Sequence, residues 1–232
     1  MSLLKVPLII SACTWYQACC KPPNLQLEGS VKSVASDYVA YAVAGTLWFP
    51  TLFMGTVEVI AILSGYAPIF SSFLAPLHLG SAQQVSINAS SLRITPVYLL
   101  GWALIYIGWH IRTSAFEELG TQFTYKLRVS EKHRLVTTGS YSHIRHPSYA
   151  GGLLFIIGGI LTQLGPGSLW STYPASLTLS LIVKSWVCFC IVSLGYTVLR
   201  AHGEERMLKA GFGKEWLAYT VNTPYMFIPY VF

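Results

Sequence analysis

Five long stretches with almost no charge dominate this 232-residue chain, and they constrain its fold more than any other feature. They lie near residues 3–20, 38–64, 95–115, 149–165 and 174–198. A helix needs about 20 apolar residues to cross the hydrocarbon core of a bilayer. Apart from a closed barrel, only a helix satisfies its backbone hydrogen bonds there. Charged residues make up 10% of the chain and hydrophobic residues 53%, whereas a soluble domain carries roughly 25% charged residues. The apolar mass excludes a disordered chain, and the scarcity of charge argues against a soluble enzyme. The expected fold is all-α, a polytopic membrane bundle of about five transmembrane helices.

The charges are distributed unevenly. Lys5, Lys21, Glu28, Lys32, Asp37, Glu58 and Arg93 are the only ones before residue 112. The expected division is therefore residues 1–115 as N-terminal transmembrane helices and 116–232 as the chemically richer region. The second part includes a helical hairpin over 149–198, turned by Gly165-Pro166-Gly167, and a C-terminal tail. Lys and Arg exceed Asp and Glu by 15 to 9. In a membrane protein that surplus reads as cytoplasmic loops, and no nucleic-acid partner is expected. Arg112, Lys126, Arg128, Lys132, Arg134 and Arg145 place the segment before the hairpin on the cytosolic face. The loop over 65–94, with Arg93 and the sequon Asn88-Ala89-Ser90, falls on the far side. The run behind Lys5 and Pro7 reads as a first membrane helix rather than a cleaved signal. The five cysteines show neither disulfide nor zinc spacing and read as membrane-core thiols. Glu58 and Lys184 lie inside apolar runs; a polar bundle interior for Glu58 and a snorkelling Lys184 are expected.

Two clusters carry the chemistry. The first runs from His133 to Tyr149 and ends where the fourth apolar run begins, with Pro147 suited to the first turn of that helix. The N–H groups and dipole of that helix would favour an anion beside Arg145 and His146. A basic segment touching lipid headgroups is the plainer alternative. His133, His143 and His146 lack acidic or thiol companions at a recognised spacing, so no metal is expected. The second cluster is Arg200-Ala201-His202-Gly203-Glu204-Glu205-Arg206. Arg200 and Glu204, four apart, share a helix face; by themselves they could be an exposed ion pair. The hairpin, however, returns the second cluster to the membrane face that holds the first.

The order of motifs resembles isoprenylcysteine carboxyl methyltransferases. His133-x-Leu135-Val136-Thr137-Thr138-Gly139-x-Tyr141 leads into Arg145-His146-Pro147-Ser148-Tyr149-x-Gly151. Arg200-x-x-x-Glu204-Glu205 and Phe212-Gly213-x-Glu215-Trp216-x-x-Tyr219 follow. The likeness covers roughly residues 126–230. It implies a multi-pass endoplasmic-reticulum enzyme with a cytosolic cofactor pocket, methylating the C-terminal prenylcysteine of processed CaaX proteins with S-adenosylmethionine. Its partners would be farnesylated or geranylgeranylated C-termini and membrane lipid. By the resemblance, His133, Arg134, Leu135, Val136, Tyr141, His146, Pro147, Ser148, Tyr149 and Glu204 would line the cofactor site. Arg200 would bind the substrate carboxylate and, with Glu204, form the catalytic pair. Family tails often carry a basic residue before the proline where this chain has Asn222-Thr223-Pro224. A membrane methyltransferase of phospholipids or other small lipids, and a sterol reductase-like NADPH oxidoreductase, are the competing readings.

Overall fold

A computed structural model describes residues 2–20, 35–74, 91–123, 134–172 and 177–230. His133 and Asn88 lie outside the described residues, so the expectations placed on them do too. The described residues are overwhelmingly helical, and each of the five apolar stretches forms a helix. These are α1 (Lys5–Cys20), α2 (Ala35–Ser64), α3 (Pro96–Leu119), α4 (Pro147–Leu164) and, after the short α5 (Leu169–Thr172), the 36-residue α6 (Leu177–Phe212). A final amphipathic helix, α7 (Lys214–Asn222), follows.

Among the described residues, three helices are long and apolar enough to cross a membrane, over Leu47–Ser64, Pro147–Leu164 and Leu179–Phe212. That is fewer than the five expected. Helix α1 has only 16 residues. Helix α3 is long enough at 24 residues, but its second half holds His110, Arg112, Glu117 and Glu118. Large apolar side chains on α6, including Leu181, Ile182, Ile191, Val192 and Leu199, face outward. Hydroxyls along the helices bond back to carbonyls one turn earlier, as Thr51 does to Leu47, Thr162 to Gly158 and Ser193 to Phe189. Such back-bonding satisfies polar groups in an apolar setting without a partner helix.

Helix starts follow the sequence. The Thr95 hydroxyl accepts the Tyr98 N–H at 3.2 Å, and Pro96 occupies the first turn of α3. Pro147 likewise opens α4, where its missing N–H has no intrahelical partner to lose. The broadest packing in the bundle joins α3 to α4 through a seam of glycines. A Cβ at Gly101 would lie 2.8 Å from the Gly158 carbonyl oxygen, and one at Gly108 would lie 2.6 Å from that of Gly151. The reciprocal approaches, from Gly158 to Gly101 and from Gly151 to Gly108, are as close. Small residues at this spacing let two backbones touch where lipid offers no hydrophobic drive to associate. The expected hairpin partner of α4 is α6, but α4 packs more extensively on α3, and the short α5 intervenes in the connection.

Helix α1 completes this half of the bundle. Trp15 packs on Trp102 at 5.2 Å and stacks on Trp109 at 5.7 Å, and the Trp102 indole donates to Ser11 Oγ at 3.0 Å. At the end of the bundle opposite the motif residues, Lys5 Nζ meets Glu58 Oε1 at 2.5 Å, both side chains buried. Lys5 also donates to the Gly167 carbonyl at 2.8 Å and lies over the Tyr98 ring. Glu58 does face the bundle interior, and its partner is Lys5; Lys184 is exposed.

Candidate functional site

The ends of α1 and α3, the start of α4, the second half of α6 and helix α7 surround a cavity of about 220 Å³. At a rise of about 1.5 Å per residue, α6 is ~54 Å long, well beyond a ~30 Å hydrocarbon core. A span starting at Leu179 thus leaves Arg200 and the residues after it near one membrane boundary. That boundary is the end at which Pro147 starts α4, so the two sequence clusters meet.

Of the expected site residues, Arg134, Leu135, Val136, Tyr141, His146, Ser148, Tyr149, Arg200 and Glu204 all line this cavity. Pro147 is buried at the helix start and stands behind the wall. Arg200 is 7% exposed. Its Nε donates to the Tyr149 hydroxyl at 3.3 Å and its Nη1 to the Tyr196 hydroxyl at 3.1 Å. The two phenols hold the guanidinium plane against the cavity wall. Arg145 Nε donates to Glu205 Oε1 at 2.6 Å, and Arg145 Nη1 donates to the Thr223 carbonyl at 3.1 Å. His146 Nε2 approaches the same Glu205 oxygen at 3.5 Å. It is buried and makes no hydrogen bond among the described residues.

The segment before α4 is held from two sides. Tyr141 belongs to a 3-10 turn, Gly139–Ser142, and its carbonyl accepts the Tyr219 hydroxyl at 2.7 Å. Burial pushes the Tyr141 phenol well above its usual range, and Glu204 adds to the shift; it is therefore a neutral hydrogen-bonding group. The Arg145 and His146 N–H groups donate to the carbonyls of Tyr225 and Met226 at 2.9 and 3.0 Å. The tail thus forms part of the site. Trp216 and Tyr219 are in its wall.

Several wall residues lie outside the two sequence clusters. Tyr16, Cys19 and Cys20 come from α1 and Leu47 from α2; with Phe155 and Ile156 they make one end of the cavity apolar. Arg112 comes from α3. Its Nε donates to the Cys19 carbonyl at 3.1 Å, and its Nη1 to the Ser148 carbonyl and hydroxyl at 3.0 Å each. It thereby ties the end of α1 to the start of α4. The boundary expected between residues 115 and 116 falls inside α3, between Arg112 and the Glu118 described below. Arg134, Arg145, Arg200, His146 and Glu204 supply polar groups elsewhere in the wall. No group of His, Cys, Asp and Glu suited to a metal occurs among the described residues.

Residues 100–210 match the isoprenylcysteine carboxyl methyltransferase (ICMT) family. The protein-S-isoprenylcysteine O-methyltransferase B of Arabidopsis thaliana is 30% identical over 126 residues, covering 53% of this chain and 55% of that protein. The protein-S-isoprenylcysteine O-methyltransferase of Saccharomyces cerevisiae is 31% identical over 153 residues, 65% of this chain and 54% of that protein. The Homo sapiens protein of the same name is 28% identical over 139 residues, 57% of this chain and 41% of that protein. The chain spans about half the length of the first two of these relatives. The likeness seen in the motifs is therefore also a likeness of the sequence around them.

Proposed function

We propose that this chain, which carries the pattern of the isoprenylcysteine carboxyl methyltransferase family over residues 100–210, is a methyltransferase of prenylated protein C-termini. In this reading it transfers a methyl group from S-adenosylmethionine to the carboxylate of a C-terminal prenylcysteine in processed CaaX proteins, forming a methyl ester. The observation that supports it best is one cavity joining a buried, tyrosine-braced Arg200 to an apolar pocket at one end and polar and aromatic groups elsewhere in its wall.

The residues present suit the cofactor. His146 Nε2 is a buried polar atom without a hydrogen bond, and a polar ligand would supply the missing partner. Tyr141, Tyr149, Phe123 and Trp216 offer ring faces and Glu204 a carboxylate, a setting that attracts a sulfonium cation. When bound, S-adenosylmethionine supplies an electrophilic methyl group. Arg134, Leu135, Val136, Tyr141, His146, Ser148, Tyr149 and Glu204 would hold it, with Pro147 fixing the backbone behind them.

The chain's own part is then alignment. A C-terminal carboxylate is ionised near pH 7, so no general base is needed. The planar fork of Arg200 binds a carboxylate in one orientation, and Tyr149 and Tyr196 keep that fork from rotating. Positioning and exclusion of water supply the rate. Tyr16, Leu47, Phe155 and Ile156 receive the prenyl chain, whose burial contributes about 25 cal/mol per Å². Residues 116–232 form the catalytic region in this reading, and helices from 1–115 close its apolar end. In this reading the helical bundle sits in the endoplasmic-reticulum membrane, with the cavity facing the cytosol.

The test is methyl transfer from labelled S-adenosylmethionine to N-acetyl-S-farnesylcysteine by membranes containing the chain. Base-labile label is expected with the wild type and is expected to vanish in Arg200→Ala and in Glu204→Ala, each still folded in detergent. Label on a different lipid would move the substrate, and binding of NADPH in place of S-adenosylhomocysteine would overturn the reaction class.

A further inference from the structure

The end of α3 and the 3-10 turn Gly120–Gln122 that follows it hold the front of the cavity through two acceptors, Glu118 and Gln122. Glu118 accepts the Ser140 N–H with both carboxylate oxygens, at 2.8 and 2.9 Å, and the Ser140 hydroxyl at 2.6 Å. Gln122 Oε1 accepts the Arg134 N–H at 2.6 Å. The gripped backbone groups bracket Leu135 and Val136 and directly precede Tyr141, and all three of these residues line the cavity. Gly139, at φ +61°, lies directly under the carboxylate. A Cβ there would fall 2.1 Å from Glu118 Oε1, so both its left-handed backbone and the close approach require glycine.

The 3-10 turn Gly139–Ser142 has no cap of its own, since Thr138 makes no side-chain capping bond. Glu118 supplies that cap from another element, and charge-assisted bonds of this kind are roughly twice as strong as neutral ones. The turn then aims Tyr141 into the cavity, where its carbonyl meets Tyr219. Glu118 does not itself line the cavity; Gln122 does.

We infer that Glu118, seconded by Gln122, is a positioning residue for the cofactor end of the site: it sets the 134–141 segment in its binding conformation and leaves the acceptor end untouched. This rests on the methyltransferase reading above.

The experiment compares purified wild type, Glu118→Ala, Glu118→Gln and Ser140→Ala in detergent. The measurements are affinity for S-adenosylhomocysteine and separate KM values for S-adenosylmethionine and N-acetyl-S-farnesylcysteine. Glu118→Ala is expected to weaken S-adenosylhomocysteine binding and raise the cofactor KM by about tenfold or more, as loss of charged hydrogen bonds implies. The farnesylcysteine KM should stay within about twofold, below the effect of one lost hydrogen bond. Glu118→Gln, which keeps an acceptor, should recover most of the loss, and Ser140→Ala should show a smaller version of it. Equal rises in both KM values, or wild-type cofactor affinity in Glu118→Ala, would overturn the inference and leave the methyltransferase reading standing. Failure of the wild type to bind S-adenosylhomocysteine would overturn the reading, and the inference with it.

Discussion

Replacing Lys5 by Met tests whether the far end of the bundle is held by charge. The lysine side chain is fully buried and Glu58 nearly so, at 0% and 2% exposure, with Nζ and Oε1 2.5 Å apart. Lys5 also serves the Gly167 carbonyl and sits 4.4 Å from the Tyr98 ring centroid. Lys5→Met therefore strands a carboxylate and a carbonyl together. Removing one partner of a buried pair costs about 3–5 kcal/mol, whereas replacing both by apolar groups of similar volume is often neutral or stabilising. Glu58→Met should cost less than Lys5→Met, because Nζ keeps the Gly167 carbonyl and the Tyr98 ring. Lys5→Met/Glu58→Met should recover most of the loss. Denaturant titration of the four proteins in one detergent gives the double-mutant cycle. The reasoning is refuted if Lys5→Met lies within about 0.5 kcal/mol of wild type, or if the two losses simply add to that precision. Turnover per folded molecule should not change, since the pair lies at the end of the bundle away from the cavity.

The glycine seam predicts that Gly151→Ala destabilises: overpacking costs about 1–3 kcal/mol, against a helix-propensity gain of at most about 1 kcal/mol. Gly195→Ala, where an added Cβ meets nothing within 4 Å, should keep the gain alone; equal effects of the two in thermal unfolding would refute the seam. Tyr219→Phe leaves the Tyr141 carbonyl without its 2.7 Å donor and should cost about 1–3 kcal/mol. Burial also pushes the Tyr219 phenol above its ordinary value. An unfolded phenol loses its proton near pH 10 while the folded one keeps it. Stability should therefore be flat through neutral pH and fall as pH rises past about 10, less steeply in Tyr219→Phe; an identical slope in the two proteins would refute this.

Helices were the most legible part of the fold, because a long apolar run declares itself without reference to any partner. Pro147 as the first residue of α4 and the meeting of Arg200 with the Arg134–Tyr149 segment follow from local chemistry and the return path of the chain. Partner choice inside the bundle is a different matter. Apolar periodicity says which face is buried but not against what, so Glu58 could be read with Lys184 as easily as with Lys5, 53 residues away. Tyr16, Cys19, Cys20 and Leu47 looked like ordinary helix-core residues, and nothing local distinguishes a core tyrosine from one that walls a cavity. Arg112 carried a faint signal, a cation inside an otherwise apolar run. Glu118 carried none, because an acidic residue near the end of a helix is ordinarily a solvated one.

The bonds between the start of α4 and the chain's last turns bear on the order in which the protein is made. Arg145 is translated well before the Thr223 carbonyl that receives it, 78 residues on. At about 5–20 residues per second, that is roughly 4 to 16 seconds of synthesis. Late in that interval, once Phe212 has been added, the nascent chain holds every apolar helix before α7, yet the Arg145 and His146 amides and the Tyr141 carbonyl still lack their final partners. Insertion into the bilayer and assembly of the cavity are thus separate events in time. A ribosome stalled between them would leave a product that resides in the membrane without the finished cavity.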